Sequence, residues 1–269
     1  MATQSPILNI MIKAAEKAGR SLTRDFGEVE NLQVSRKGPA NFVTAADKRA
    51  EEIIFEELKK ARPDYSFLME ESGVVKGANE DNIWIIDPLD GTHNFMHGIP
   101  HWCVSIALES KGRIEAGVVY DPIKEETFVA ERNGGAWLNG RKRLRVSSRN
   151  DLESSTIAFG SANMNGEKQR RFITELNNIS IQAPMVRRMG AAALDLSYVA
   201  AGRLDGYWER DIKPWDLAAG VLIVKEAGGF ATSIDDEKNP IYNNQIVSGN
   251  QAIYTHLRKN LRETAKKAA

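Results

Sequence analysis

Two aspartates three residues apart, Asp87 and Asp90, follow an apolar run in Trp84-Ile85-Ile86-Asp87-Pro88-Leu89-Asp90-Gly91-Thr92. A strand that runs into a turn holds such groups on a rigid support, which is where reactive side chains are commonly displayed. Pro88 fixes the backbone between the two carboxylates, and Gly91 lets the main chain approach a ligand closely. Two hard anionic oxygens on one stiff turn suit Mg²⁺, which prefers carboxylate, carbonyl and water oxygens. The same residues also read as a polar turn that caps a following helix, and this stretch alone leaves both readings open. The alternating ligands and distal glutamate of an EF-hand are absent.

Further carboxylates repeat the pattern. Phe67-Leu68-Met69 runs into Glu70-Glu71-Ser72-Gly73, as a second strand beside the first would, or as a solvated acidic turn. Asp216 follows Lys213-Pro214-Trp215 at the head of an apolar helix, where capping alone explains it. Thr44-Ala45-Ala46-Asp47 fits a capping box at a helix start. His93, His97 and His101 are spaced by four but lack the glutamate of the zinc-protease motif, so they read as solvated or locally bonded. Cys103 reads as a buried core residue. Arg187 and Arg188 suit either a phosphate or a salt bridge between subunits. The basic residues of 258–267 read as a solvated helix face.

The elements that must position these groups follow from periodicity and turn signals. Residues 6–25 place Ile7, Leu8, Met11, Ile12, Ala15 and Leu22 on one helical face. A second helix carries Ile53, Ile54 and Leu58 inward and ends at Arg62-Pro63-Asp64. Strands are expected at 65–69, 83–86, 102–108, 113–120, 127–131 and 136–138. Turns lie at Ser110-Lys111-Gly112, Asn133-Gly134-Gly135 and Asn139-Gly140. This block reads as a mostly antiparallel sheet behind two helices. Helix and strand then alternate, with strands at 156–159, 185–189, 207–209, 230–233 and 246–248 and helices at 167–177, 191–201 and 215–227, before a C-terminal helix. The pattern changes near residues 147–151. Two halves are therefore expected, 1–148 with the acidic motifs and 149–269 completing the site, in one compact α+β body.

Bulk composition narrows the function classes. The 269 residues carry 36 Lys plus Arg and 36 Asp plus Glu, a formal net charge of zero. Nothing in that balance favours nucleic acid as a partner. Cys103 is the single cysteine, which excludes an internal disulfide and a cysteine-based zinc cluster. The N-terminal stretch does not read as a signal peptide, and no apolar run approaches the ~20 residues of a membrane span. A cytoplasmic protein is expected.

Taken together, Glu70-Glu71-Ser72, then Trp84 to Thr92, then Trp215-Asp216-Leu217-Ala218-Ala219-Gly220 resemble the inositol monophosphatase family in order and separation. Asp47 within Val43-Thr44-Ala45-Ala46-Asp47, Glu209, and Gly190-Ala191-Ala192-Ala193-Leu194-Asp195 match further family positions. The resemblance covers almost the whole chain. Lys213-Pro214-Trp215-Asp216 is most similar to the bacterial inositol-1-monophosphatase-like branch.

The resemblance implies a layered αβαβα sugar-phosphatase fold, Mg²⁺ dependence, lithium sensitivity and a homodimer, for which the apolar hairpin region would supply a surface. It implies that Glu70, Asp87 and the Leu89 carbonyl hold one Mg²⁺, and that Asp87, Asp90 and Asp216 hold a second. A weaker third ion would be held through Glu70 and water. Asp47 and Thr92 would orient or deprotonate the attacking water, and the N–H groups of Gly91 and Thr92 would bind phosphate oxygens. Glu209, Asp90 and Gly190, Ala191 and Ala192 would face the substrate hydroxyls. For Glu209 the residues alone equally allow a surface ion pair with Arg210 or Lys213. Phe159-Gly160-Ser161-Ala162-Asn163, where relatives vary, departs from the form expected of ordinary bacterial members.

The expected reaction is hydrolysis of a small polyol phosphate, with myo-inositol 1-phosphate leading. Histidinol phosphate, fructose 1,6-bisphosphate and 3′-phosphoadenosine 5′-phosphate are alternatives within the same chemistry. A regulatory binding protein that keeps the fold without catalysis is the alternative from another class; the complete acidic set argues against it.

Overall fold

A computed structural model describes residues 5–33, 39–161, 165–236 and 239–268. The chain opens with helices α1 (Pro6–Gln33) and α2 (Pro39–Ala61), which pack on each other. Leu8, Met11, Ala15, Ala18 and Leu22 form the buried face of α1, as their helical spacing requires. On α2, Ile54 and Leu58 are buried, while Ile53 is half-buried and packs at the edge of the same core. Because α2 begins at Pro39, Thr44 and Asp47 lie inside the helix, not at its start as the capping-box pattern predicts.

Next come β1 (Tyr65–Met69), β2 (Gly73–Val75), β3 (Asn79–Asp90), the short α3 (Thr92–Met96), β4 (Cys103–Ser110), β5 (Arg113–Asp121), β6 (Glu126–Glu131), β7 (Gly135–Leu138) and β8 (Lys142–Arg143). The strands form one sheet in the order β2-β1-β3-β4-β5-β6-β7-β8. Only β1 and β3 pair in parallel, with Phe67 opposite Trp84 and Met69 opposite Ile86. The rest pair antiparallel, β3 and β4 across the segment that holds α3.

The second half supplies β9 (Thr156–Phe159), α4 (Gly166–Gln182), β10 (Met185–Arg187), α5 (Ala192–Ala200), β11 (Gly206–Arg210), α6 (Pro214–Glu226), β12 (Phe230–Thr232), β13 (Gln245–Gly249) and α7 (Gln251–Ala268). Its sheet runs β10-β9-β11-β13-β12. Helices α1 and α2 cover the outer face of the first sheet. Helices α5 and α6 lie between the two sheets, and α4 with α7 covers the far face. This is a layered αβαβα arrangement. Every residue of α5 is buried, and so are Leu217–Val224 of α6, as befits helices enclosed on all sides; the polar side chains Asp195 and Ser197 of α5 are bonded to His101 and to the Ala193 carbonyl.

Strand alternation decides which side chains reach the middle layer. On β3, Ile85 joins the α5–α6 core while Trp84 and Ile86 join the α1–α2 core. On β11, Tyr207 faces α5 and α6, and Trp208 faces α4 and α7. The apolar strands β4 and β5 are covered on both faces, so the hairpin region expected to offer a subunit surface is taken up by the chain's own core. Among the described residues, no helix is long and apolar enough to cross a membrane.

Candidate active site

Pro88 sits in a strand interior, which is tolerated only where the ladder is broken. The β3–β4 pairing shifts register between Asp87, opposite Ser105, and Asp90, opposite Cys103. This bulge re-aims the strand end, and Asp87 Oδ1 stabilises it by accepting the Leu89 N–H at 2.9 Å. Gly91 then turns the chain with φ 96°, a conformation that favours glycine, directly before α3. The parallel β1–β3 register brings Glu70, one residue past Met69, beside Asp87, and the Glu70 N–H donates to the Ile86 carbonyl at 3.2 Å. The adjacent Glu71 N–H donates to Glu51 of α2 at 2.9 Å.

Helix α6 brings a further carboxylate from the second half of the chain. Its Asp216 accepts the Lys213 N–H at 3.0 Å, so it caps the helix as the sequence allows. The same side chain comes within 4.8 Å of ligand oxygens on Asp87 and Asp90. Asp90 Oδ2 accepts the Ala193 N–H at the start of α5, at 2.7 Å, and lies 3.7 Å from Cys103 Sγ.

These carboxylates border a cavity of about 670 Å³ whose walls also include Leu89, Gly91, Thr92, Gly190, Ala191, Ala192 and Glu209. Burial in close company of like charges pushes the carboxyl pKa values upward. Desolvation raises Asp87 and Asp90 well above the usual range, with neighbouring carboxylates adding to it. Glu70 is pushed up to about 7 by burial, with Asp216, Glu71 and Glu51 adding repulsion. Asp216 moves up through burial. Asp47 is raised to about 8, first by burial and then by Glu70, Glu71 and Glu51, and its Oδ1 is buried without a hydrogen-bond partner. Hard oxygens, clustered so closely that their like charges repel, fit a divalent cation.

The rest of the wall holds Glu209, half-buried and raised to about 8 chiefly by desolvation. It is bonded by the Tyr207 hydroxyl, not paired with Arg210 or Lys213. Arg210 instead binds Glu175, Gln245 and Asp235. Thr92 lines the cavity, and its hydroxyl donates to the Leu89 carbonyl at 3.0 Å; Asp47 is not among the cavity's lining residues.

A model of the inositol monophosphatase family matches residues 3–267. The chain belongs to the inositol monophosphatase family. It is 52% identical over 256 residues to the inositol-1-monophosphatase of Mesorhizobium japonicum, covering 95% of this chain and 96% of that one. It is 42% identical over 258 residues to the Nus factor SuhB of Escherichia coli K12, covering 96% of each. A crystal structure of the extragenic suppressor protein SuhB from Bartonella henselae superposes with a TM-score of 0.88 at 52% identity, covering 96% of this chain and 99% of that one. Membership makes the chain a phosphatase, a hydrolase acting on a phosphorylated substrate.

Within this inositol monophosphatase fold, some contacts escape sequence reading. His101 is buried and its Nε2 lies 2.9 Å from Asp195 Oδ1, which ties the segment after α3 to α5. Asn94 Nδ2 donates to the carbonyls of His101 and Met189, at 2.7 and 2.8 Å. His93 lines the cavity and His97 is exposed; among the described residues neither joins the acidic cluster. Arg188 lines the cavity mouth and donates to the Ser161 carbonyl at 3.0 Å. In the C-terminal helix Arg258 is buried, its Nε donating to the Ile234 carbonyl at 3.0 Å, so that face is only partly solvated. Ala162 and Asn163 lie outside the described residues.

Proposed function

We propose that this chain is a Mg²⁺-dependent phosphatase that hydrolyses a small polyol phosphate monoester, with myo-inositol 1-phosphate as the leading substrate. The observation that carries the reading is the convergence of Glu70, Asp87, Asp90 and Asp216 beside one cavity that also exposes Glu209. Glu70, Asp87 and the Leu89 carbonyl would hold one ion, and Asp87, Asp90 and Asp216 a second, with Asp87 shared; a third would be held weakly through Glu70 and water. Bound there, the ions supply Lewis acidity and a water acidic enough to act as nucleophile near neutral pH.

The chain's own residues do the remaining work. The Thr92 hydroxyl donates to Leu89 and keeps its lone pairs for a water; Asp47, whose raised pKa would fall once cations offset the charge of Glu70, would then take that water's proton. Backbone N–H groups at Gly91 and Thr92 bind phosphate oxygens, and Asp90, Gly190, Ala191, Ala192 and Glu209 face the alcohol. The water oxygen would bond to phosphorus roughly in line with the breaking P–O ester bond, and the leaving oxygen would take a proton from a second water and depart as the alcohol, leaving phosphate. In the same reading the two halves, 1–148 and 149–269, form one body, because Asp216 from the second completes the acidic set of the first. Two copies pair, supported by exposed Ile181 and Met185 near the edge strand β10.

A phosphate-release panel tests the reading. With Mg²⁺, myo-inositol 1-phosphate should exceed histidinol phosphate, fructose 1,6-bisphosphate and 3′-phosphoadenosine 5′-phosphate in kcat/KM by at least about tenfold. A higher value for any competitor overturns the substrate. The name of the E. coli relative gives some weight to a binding role, but the complete acidic set supports catalysis. Absence of turnover on all four esters would favour binding alone.

A further inference from the structure

Gly160 follows β9, and its N–H donates to the Trp208 carbonyl of β11 at 3.1 Å. The parallel β9–β11 register, Phe159 opposite Trp208, lays Gly160 against the next residue, Glu209. A Cβ built on Gly160 overlaps the Glu209 carboxylate, with Oε2, Cδ and Oε1 all well inside the 3.0 Å that real Cβ atoms keep. Gly160 is absent from the glycines with left-handed φ, so the backbone there does not itself demand glycine. The obstacle to a side chain is Glu209.

The oxygen nearest to Gly160, Oε2, is also the one that Tyr207 holds. Residues 207 and 209 point to the same face of β11. Tyr207 is buried, and its hydroxyl donates to Glu209 Oε2. A buried phenol needs a partner, and this one has its partner in the cavity wall. The Glu209 carboxylate is therefore seated against a bare backbone and bonded there by a fixed donor, and Gly160, Ser161, Tyr207 and Glu209 all line the cavity.

We propose that Gly160 and Tyr207 are positioning residues that set the preference for hydroxylated leaving groups by fixing the orientation of Glu209. The substrate side of this inference rests on the polyol-phosphate reading; the geometric side does not. With Gly160→Ala the added methyl pushes the flexible end of Glu209 off its seat, and the Tyr207 bond is lost with it. With Tyr207→Phe the carboxylate keeps its place beside Gly160 but loses the donor that aims it.

The test compares myo-inositol 1-phosphate with phenyl phosphate, whose leaving group carries no hydroxyl to read. Gly160→Ala and Tyr207→Phe should each lower kcat/KM for the inositol ester about tenfold, through KM. Phenyl phosphate should change less than about threefold. In a Glu209→Ala background, neither substitution should have further effect, because nothing is left to position. Equal losses on both esters, or losses that simply add to that of Glu209→Ala, overturn the proposal. A crystal structure of Gly160→Ala decides the geometry independently of activity: the Glu209 carboxylate should be displaced from the Tyr207 hydroxyl. An unmoved carboxylate overturns the proposal. If the parent protein hydrolyses neither ester, the substrate reading fails, and that crystal structure still decides the positioning.

Discussion

Asp216 serves two purposes with one carboxylate. It accepts the Lys213 N–H, which stiffens the start of α6, and the same side chain faces Asp87 and Asp90. Asp87 is likewise held by the Leu89 N–H while facing Glu70. Local bonds thus hold Asp87 and Asp216 in place, which would leave little reorganisation to the binding of an ion. Asp87→Asn should lower Mg²⁺-dependent kcat by at least about 100-fold. Its metal-free melting temperature should be equal or higher, because an amide has no charge to bury beside Glu70, Asp90 and Asp216. Phosphate release and thermal melts check both. Glu209→Ala should change discrimination among alcohol leaving groups while leaving Mg²⁺ affinity within about threefold; weakened Mg²⁺ binding with equal losses on every ester would contradict that role. Glu70 and Asp87 were legible in the sequence because each ends an apolar run, whereas Asp216 and Asp47 read as helix caps and stood out only through the family resemblance. The Ala193 N–H on Asp90 and the Gly160–Glu209–Tyr207 contact were not, since both join segments whose pairing no local pattern encodes.

At the level of elements, the strands Tyr65–Met69 and Thr156–Phe159 stand where apolar runs between turn signals place them. Strand β3 runs further than the apolar stretch predicts, through Pro88 to Asp90, because the bulge lets it keep pairing with β4. The expected strand over 185–189 stops at Arg187, where the chain leaves the edge of the sheet. Thr44 to Asp47 mislead because a capping pattern is short and Asp47 is buried beside Glu70 for reasons outside its own helix. Seating of α6 on the first sheet depends on Gly117, where an added Cβ would lie 3.0 Å from the Ala219 Cα. Gly117→Val gains strand propensity but overpacks this contact, and should destabilise the fold by about 1–3 kcal/mol in urea titration. Since α6 carries Asp216, Mg²⁺ affinity should fall with it. An unchanged urea midpoint would mean that the layer spacing is not set there.

Across the whole molecule, the acidic centre links stability to pH and to metal. Glu70 is raised to about 7, and Asp47 and Glu209 to about 8. Their unfolded values lie near 4, so the metal-free folded state binds more protons than the unfolded chain in between. Stability from these groups is full below about pH 4 and is lost as pH rises through 7 to 8. A cation that neutralises the cluster removes that loss. The rise in melting temperature on adding Mg²⁺ should therefore be larger at pH 8.5 than at pH 6; an equal rise at both would contradict the linkage. The elements themselves were visible as apolar patterns and the αβαβα layering followed from the family resemblance, whereas the strand orders of the two sheets were not legible, because they depend on contacts far apart in the chain. The account turns on whether Asp87, Asp90, Asp216 and Glu70 act as one metal-dependent centre. Titrating Mg²⁺ into chelator-treated protein while following phosphate release from myo-inositol 1-phosphate tests this most directly. Release should be absent without a divalent cation and rise saturably with Mg²⁺, whereas undiminished release in chelator would contradict it.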